Sequence, residues 1–180
     1  RVGVLTGGGD CPGLNAVIRA TVRTVEIEHG GTVVGFKDAW RGVVNDDWEP
    51  LTSESCRGLL PRGGTVLGTS RDQPYKMDNG VEAVRRAVDR HGLDAIVAIG
   101  GEGSMGVVKD LHRDGIPVVG VPKTIDNDIG LTEMTFGFQT AVDTATEALD
   151  KLHTTAESHQ RVIVLELMGR YAGWVALEAG

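Results

Sequence analysis

Short β-branched runs alternating with amphipathic helical periods predict an α/β fold: a doubly wound, mostly parallel sheet with helices on both faces, followed by the start of a second α/β domain. Three observations carry this. The candidate strands are apolar at successive positions rather than alternate ones, as strands covered on both faces are. Aromatic residues make up only 4% of a chain that is 41% hydrophobic, so the core is built of Val, Ile, Leu and Ala. The 26 glycines gather largely in a few loops, a distribution that lets backbone approach a ligand.

In chain order, Val2–Leu5 reads as the first strand, followed by a helical stripe of Val17, Ala20, Thr21 and Thr24 at i, i+3, i+4 and i+7. Val33–Phe36 is the second strand. The stretch from Lys37 to Gln73 holds glycine turns and two of the three tryptophans, and reads as loops, a short helix and room for a hairpin. Val81, Val84 and Val88 mark a second helix, Ala95–Ile99 a third strand, and Met105, Val108 and Leu111 a third helix. Val118–Val121 is a fourth strand. Ala141, Ala145, Ala148, Leu149 and Leu152 mark a long helix, Val162–Leu167 a fifth strand, and a last helix begins near Tyr171.

Charge and cysteine usage exclude several classes. The net charge is −7 with no basic block, which argues against nucleic acid or an anionic membrane surface as partner. No apolar run approaches the ~20 residues of a membrane span, and no secretory signal is visible. Cys11 and Cys56 are too few for a disulfide scaffold, and Cys11 is expected to pack as a small hydrophobe in its loop. A reduced, soluble, cytoplasmic protein is expected. Because the chain opens on Arg1 and stops at Gly180 within a helical pattern, it is also expected to be a segment of a longer protein.

The chemistry concentrates in the loops. Pro122-Lys123-Thr124-Ile125-Asp126-Asn127-Asp128 follows a buried strand and gathers two carboxylates, an amide, a hydroxyl and an ammonium. At the end of such a strand, a carboxylate can take a proton from a substrate hydroxyl while its neighbours fix geometry or hold a metal. As a plain turn, Asp126 and Asn127 would only cap the next element. The loop Thr6–Asn15 joins strand to helix, and its glycines let N–H groups approach a phosphate at a helix N-terminus. It matches neither G-x-G-x-x-G nor a Walker motif. In the loop Arg62–Arg71, the guanidinium of Arg71 can reach a phosphate bidentately. In Gly100-Gly101-Glu102-Gly103-Ser104, Glu102 is a hard oxygen ligand for Mg²⁺, Gly103 leaves room for a nucleotide, and Ser104 is placed as helix N-cap. Arg161 and Arg170 flank the fifth strand. His29, His91, His112 and His153 show no ligand spacing and are expected on helices or the surface. Glycine loops, a metal carboxylate, an Asp base and three arginines together describe phosphoryl transfer, which is mostly positioning and charge neutralisation.

Six segments in this order resemble the N-terminal part of 6-phosphofructokinases: GVLTGGGDCPGLN (3–15), RGGTVLGTSR (62–71), GGEGS (100–104), PKTIDND (122–128), SHQR (158–161) and MGRYAG (168–173). The resemblance runs from end to end of the chain. It implies a phosphofructokinase-like fold, with residues 1–137 as the nucleotide- or phosphate-donor-binding domain and 138–180 as the start of a fructose 6-phosphate-binding domain. It implies ATP as donor, Mg²⁺ as cofactor, a cytoplasmic homo-oligomer (dimer or tetramer), and phosphorylation of fructose 6-phosphate at its 1-hydroxyl, a committing step of glycolysis. Gly8, Arg71 and Asp72 would sit at the donor phosphates, with Gly101, Gly103 and Ser104 lining the ATP site and Glu102 at the Mg²⁺. Thr124, Ile125 and Asp126 would contact the sugar, with Asp126 as general base and Asp128 in support. Met168, Gly169 and Arg170 would bind fructose 6-phosphate, Arg170 also stabilising transferred charge, and Arg161 would reach the sugar phosphate of a neighbouring subunit.

The departures from that pattern are specific. Glu102 stands where many members carry Asp. Lys123 is the residue of pyrophosphate-using members, whereas Gly103 is that of ATP-using ones; the mixture resembles the actinobacterial branch. Gly103 weighs more, because a carboxylate there would face the nucleotide phosphates. Arg19 and Arg23 match effector-binding arginines of allosteric members, but a third such position holds Ser53. The rival readings are a pyrophosphate-dependent phosphofructokinase, an NAD- or lipid-kinase-like enzyme, and a non-catalytic nucleotide-binding module. A dinucleotide dehydrogenase lacks the acidic ribose-binding residue in frame.

Overall fold

A computed structural model describes all 180 residues, Arg1–Gly180. The strands are β1 (Val2–Gly7), β2 (Val33–Phe36), β3 (Trp48–Leu51), β4 (Ala95–Gly100), β5 (Val118–Thr124) and β6 (Phe136–Gly137). The helices are α1 (Leu14–Arg23), α2 (Trp40–Asn45), α3 (Gly80–His91), α4 (Glu102–Arg113), α5 (Phe138–His159) and α6 (Trp174–Ala179). The sheet runs β3-β2-β1-β4-β5-β6 and is parallel except for β3, which pairs antiparallel with β2 at the edge. The chain winds outward from the centre in both directions, so the crossovers diverge between β1 and β4. That divergence opens a crevice at the carboxyl ends of these strands.

Side chains on successive strand positions enter opposite cores. Leu5, Ile96 and Ala98 join Trp40, Val84, Val107 and Leu111 from α2, α3 and α4 on one face. Val4, Val33 and Ile99 join Leu14, Val17, Ile18 and Val22 of α1 on the other, where Cys56, Leu59 and Leu67 of the 52–67 segment complete the cover. Val4 and Leu5 are both fully buried, as a central strand covered on two faces requires. Each such side chain contributes roughly 1.5–3 kcal/mol. α5 and α6 form a smaller third cluster of Phe138, Val142, Ala145 and Val175.

Glycine chemistry ends α3. Gly92, at φ 56°, closes α3 in the left-handed region, and the Leu93 N–H donates to the Val88 carbonyl at 2.9 Å. His91, expected on a helix, is the last residue of α3 but is buried, with Nε2 2.7 Å from Asp46 Oδ1. α1 continues into a π-helical turn at Thr24–Glu28.

The structure corrects the sequence reading in three places. No strand forms at Val162–Leu167: this stretch makes no backbone hydrogen bond to another segment, and Val162 and Val164 are 96% and 90% exposed. A β-branched run becomes a strand only when a neighbour supplies its ladder, and the segment beside this one is the helix α5, which has no free peptide groups to pair with it. The last helix starts at Trp174 rather than near Tyr171, because the Ala172 N–H donates to the Gly169 carbonyl in a turn that precedes it. β6, only two residues long, carries no sequence signal and exists through its pairing with Lys123 and Thr124.

Candidate functional site

The crevice is a cavity of about 1040 Å³ lined by the loops that follow β1, β4 and β5, by residues 70–73, and by residues 166–170. Its floor is backbone. Gly7 and Gly100 are register partners at the ends of β1 and β4, and Ser104 fills the space above them. A Cβ on Gly100 would lie 2.3 Å from Ser104 Oγ, so only glycine fits there. This overturns the placing of Ser104 as N-cap. α4 begins at Glu102 after an extended Gly101, no side chain caps it, and Ser104 lies inside the first turn. The glycine pair lets α4 start that close to the sheet, with its N-terminus at the cavity, an arrangement suited to anions.

The Asp126 loop is pinned by its neighbours rather than by Asp126. The Asp126 N–H donates to Thr124 Oγ1 at 3.1 Å. Asn127, in the left-handed region at φ 49°, accepts the Thr135 N–H on Oδ1 at 3.0 Å. The Thr135 hydroxyl donates to the Thr124 carbonyl at 2.6 Å. The carboxylates of Asp126 and Asp128 have no hydrogen-bond or ion-pair partner in the protein, and both line the cavity. A pinned backbone with a free carboxylate is the geometry a general base needs.

Three cations share the cavity. Arg71 is exposed and unpaired. Arg170, at φ 53°, lies 5.0 Å above the Tyr171 ring. Lys123 is 3% exposed and its Nζ donates to the Gly9 carbonyl. Burial holds the Lys123 pKa below its ordinary value, against the opposing pull of Cys11, Asp10 and Asp126. Burial also pushes the neighbouring Cys11 thiol up to about 11, so Cys11 stays a neutral apolar residue.

Gly8, Arg71, Asp72, Gly101, Glu102, Gly103, Ser104, Thr124, Ile125, Asp126, Asp128, Met168, Gly169 and Arg170 all line the one cavity, and Arg161 does not. Arg161 is exposed, just past the C-terminal end of α5, and its N–H donates to the Ala156 carbonyl. Asp72 carries a structural tie, with Arg41 Nε 2.6 Å from its Oδ2. Lys123, weighed from sequence only as a donor-type marker, is a wall of the site, and its position directly after a buried strand was the signal. Trp40 was missed: it lines the cavity while its indole N–H is buried without a partner. Nothing in the local sequence distinguished it from the other tryptophans.

No group of three His, Cys, Asp or Glu side chains converges as a protein-only metal cage. Mg²⁺ does not need one, since it is commonly held by one or two carboxylates together with substrate phosphates. Glu102, in the exposed first turn of α4 and lining the cavity, supplies a hard oxygen of that kind.

The family model described as Phosphofructokinase matches residues 1–180. A pyrophosphate–fructose 6-phosphate 1-phosphotransferase from Amycolatopsis methanolica is 60% identical over 180 residues, covering 100% of this chain and 53% of that protein. The ATP-dependent 6-phosphofructokinase 3 of Streptomyces coelicolor is 56% identical with the same coverages. The ATP-dependent 6-phosphofructokinase of Mycobacterium tuberculosis is 52% identical over 181 residues, again 53% of its length. The chain thus spans about half the length of the curated relatives it matches. Among solved structures, phosphofructokinase from Saccharomyces cerevisiae superposes with a TM-score of 0.87 at 33% identity, over 99% of this chain and 27% of that one. The pyrophosphate-dependent phosphofructokinase of Nitrosospira multiformis shares the fold, with a TM-score of 0.84 at 22% identity over 99% of this chain and 48% of that one. With the family pattern matched from Arg1 to Gly180, this chain belongs to the phosphofructokinase family.

Proposed function

We propose that this protein transfers a phosphoryl group from ATP to the 1-hydroxyl of fructose 6-phosphate, giving fructose 1,6-bisphosphate, the committing step of glycolysis. The observation that carries the reading is Asp126: an unpartnered carboxylate on a pinned loop, in one cavity with Arg71, Arg170 and Lys123. Asp126 accepts the proton of the attacking hydroxyl, Thr124 and Ile125 hold the sugar, and Asp128 supports Asp126 as a second acidic group. Arg71 binds the donor phosphates, and Arg170 meets the charge on the transferring group. Met168 and Gly169 complete the sugar wall. Gly8, Gly101, Gly103 and Ser104 give the donor phosphates backbone to lie against, beside Asp72. Bound Mg²⁺ would neutralise phosphate charge next to Glu102.

ATP is the favoured donor because a side chain at Gly103 would meet only the end of the Gln73 amide, 3.7 Å away, which leaves the first turn of α4 open to a nucleotide. Lys123 favours pyrophosphate, since a buried ammonium beside the glycine loop suits a compact, highly charged donor. Residues 1–137 are proposed to bind the donor and 138–180 to begin the sugar-binding domain, in line with the separate α5–α6 cluster. No helix is long and apolar enough to cross a membrane. We place the protein in the cytoplasm as a homo-oligomer, with Arg161 reaching a neighbouring sugar phosphate. A coupled assay of the full-length protein with ATP and pyrophosphate side by side tests the reading. Faster turnover with pyrophosphate would reverse the choice of donor, and failure with both would remove the function.

A further inference from the structure

Two side chains that no step of the reaction uses are almost wholly buried beside the cavity. Thr6 is 0% exposed near the end of β1, and Asn15 is 1% exposed in the first turn of α1. Both direct their polar atoms to one segment, residues 62–68. Asn15 Nδ2 donates to the Arg62 and Gly63 carbonyls at 3.1 and 3.2 Å, while its Oδ1 accepts the Val66 N–H at 2.9 Å. Thr6 Oγ1 lies 2.8 Å from the Gly68 carbonyl oxygen and 2.8 Å from Thr65 Oγ1. A carbonyl has no proton to give, so Thr6 donates to Gly68 and accepts from Thr65. Thr65 Oγ1 in turn accepts the Leu67 N–H at 3.2 Å. Every proton in the network has a consistent direction.

The segment runs on into Arg71. The Gly8 N–H donates to the Ser70 carbonyl at 2.9 Å, and Thr69 Oγ1 donates back to the Gly8 carbonyl at 2.6 Å. Arg71 has no partner of its own, so its place is set by the backbone that carries it. Leu67 is the only fully buried apolar side chain between residues 62 and 71, and the polar ties do the rest of the anchoring.

We propose that Thr6 and Asn15 are positioning residues for the phosphoryl donor: their buried hydrogen bonds hold residues 62–70 against the opening glycine loop and so fix where the Arg71 guanidinium meets the donor phosphates. This rests on the role given to Arg71 above. Loss of the Thr6 hydroxyl leaves the half-buried Gly68 carbonyl without a donor and the Thr65 hydroxyl proton without an acceptor, which the loop relieves by moving.

Steady-state kinetics of the full-length protein test this with Thr6→Val, Thr6→Ser and Arg71→Ala, alone and combined. Thr6→Val is expected to lower kcat/KM for the donor by about 10- to 100-fold, the scale of a misplacement near 1 Å. KM for fructose 6-phosphate stays within about twofold, because uniform sugar binding is untouched. Thr6→Ser, which keeps the hydroxyl, restores most of the loss. In the Arg71→Ala background, Thr6→Val adds less than about threefold, since both changes remove one contact. Additive losses, or equal losses for donor and sugar, overturn the proposal and leave the role of Arg71 standing. An inert Arg71→Ala overturns both. Should Thr6→Val fail to fold, Thr65→Val at a half-buried position removes the donor to Thr6 and spares the bond to Gly68. A donor-selective loss that vanishes with Arg71→Ala then supports the proposal, and an unselective loss or none overturns it.

Discussion

On the side of the cavity proposed to hold the donor, the loops after β1 and at residues 62–72 are tied to each other by backbone and buried side-chain hydrogen bonds, and Lys123 of β5 joins them at the Gly9 carbonyl. On the opposite side, residues 162–168 run past with exposed valines and no backbone bond to a second segment. One wall is over-determined by this chain, whereas the other takes its direction from a single turn at Gly169 and the α5–α6 cluster. Identical composition would not produce this difference. Both stretches carry β-branched residues, but only the loops after β1 and at residues 62–72 have neighbours for their peptide groups. A phosphoryl-transfer site gains most from rigidity around the donor phosphates, where charge develops.

Asp126 sits between the walls, and its substitution gives the largest effect. Asp126→Asn in the full-length protein is expected to cut turnover by roughly 100- to 10,000-fold while fructose 6-phosphate affinity stays nearly unchanged. Single-turnover rates beside equilibrium sugar binding measure this, and near-normal turnover would remove Asp126 from the base role.

The rigid wall can be probed at Gly103. A carboxylate there would face the donor phosphates, and Gly103→Asp is expected to lower kcat/KM for ATP by about 100-fold with little change for the sugar. Equal losses for both substrates would mean that α4 had shifted instead.

Core energetics sharpen the contrast further. Ile96, fully buried in β4, is expected to cost about 2–5 kcal/mol on Ile96→Ala. Val164, 90% exposed, is expected to change stability by less than about 0.5 kcal/mol on Val164→Ala. Urea denaturation of residues 1–180 compares the two directly. A large cost at Val164 in that preparation would show that this second wall is packed after all.

The smallest effect lies at the far edge, where Asp46 ties α2 to α3. The hydrogen bond with His91, and then that from Arg90, hold its carboxyl below its ordinary value of 3.8. A carboxyl depressed in the folded state stabilises fully above its unfolded value, and that stabilisation is lost as pH falls through the folded one. Unfolding midpoints measured from about pH 6 down to pH 3 should therefore fall less in Asp46→Asn than in the parent protein. Parallel curves would show that the cluster is not pH-linked.

The central strands were legible in the sequence because Val2–Leu5, Val33–Phe36 and Ala95–Ile99 are covered on both faces, and continuous apolar runs announce that directly; Val118–Val121 carries the same pattern although Val119 is 55% exposed. Val162–Leu167 has the same composition and does not pair, since propensity describes a residue's fit to a sheet and not the presence of a neighbour. β3 and β6 were hidden for the converse reason: partners made strands of segments with little pattern of their own. In the site, loop residues were visible through their unusual density of glycine and charge. Trp40 and Asn15 were not, because each acts through tertiary contacts that local spacing does not encode.

The register of β1 has a consequence for how the chain acquires this shape. Val2 pairs with Val33 on one side and with Ala95 on the other, so β1 keeps one edge open long after β2 has formed. On a ribosome, β1 can meet β2 early, but its second edge stays open until β4 has emerged. Closing a loop of that length costs entropy before any ladder forms, and parallel pairings of such range fold slowly. For that interval Val4 and Leu5 lie on an exposed, strongly apolar strand edge, the kind of surface that invites pairing with another chain. Slowing synthesis between residues 37 and 94 should accordingly lower soluble yield more than slowing it after residue 124, a difference that synonymous rare-codon blocks in the two regions would measure.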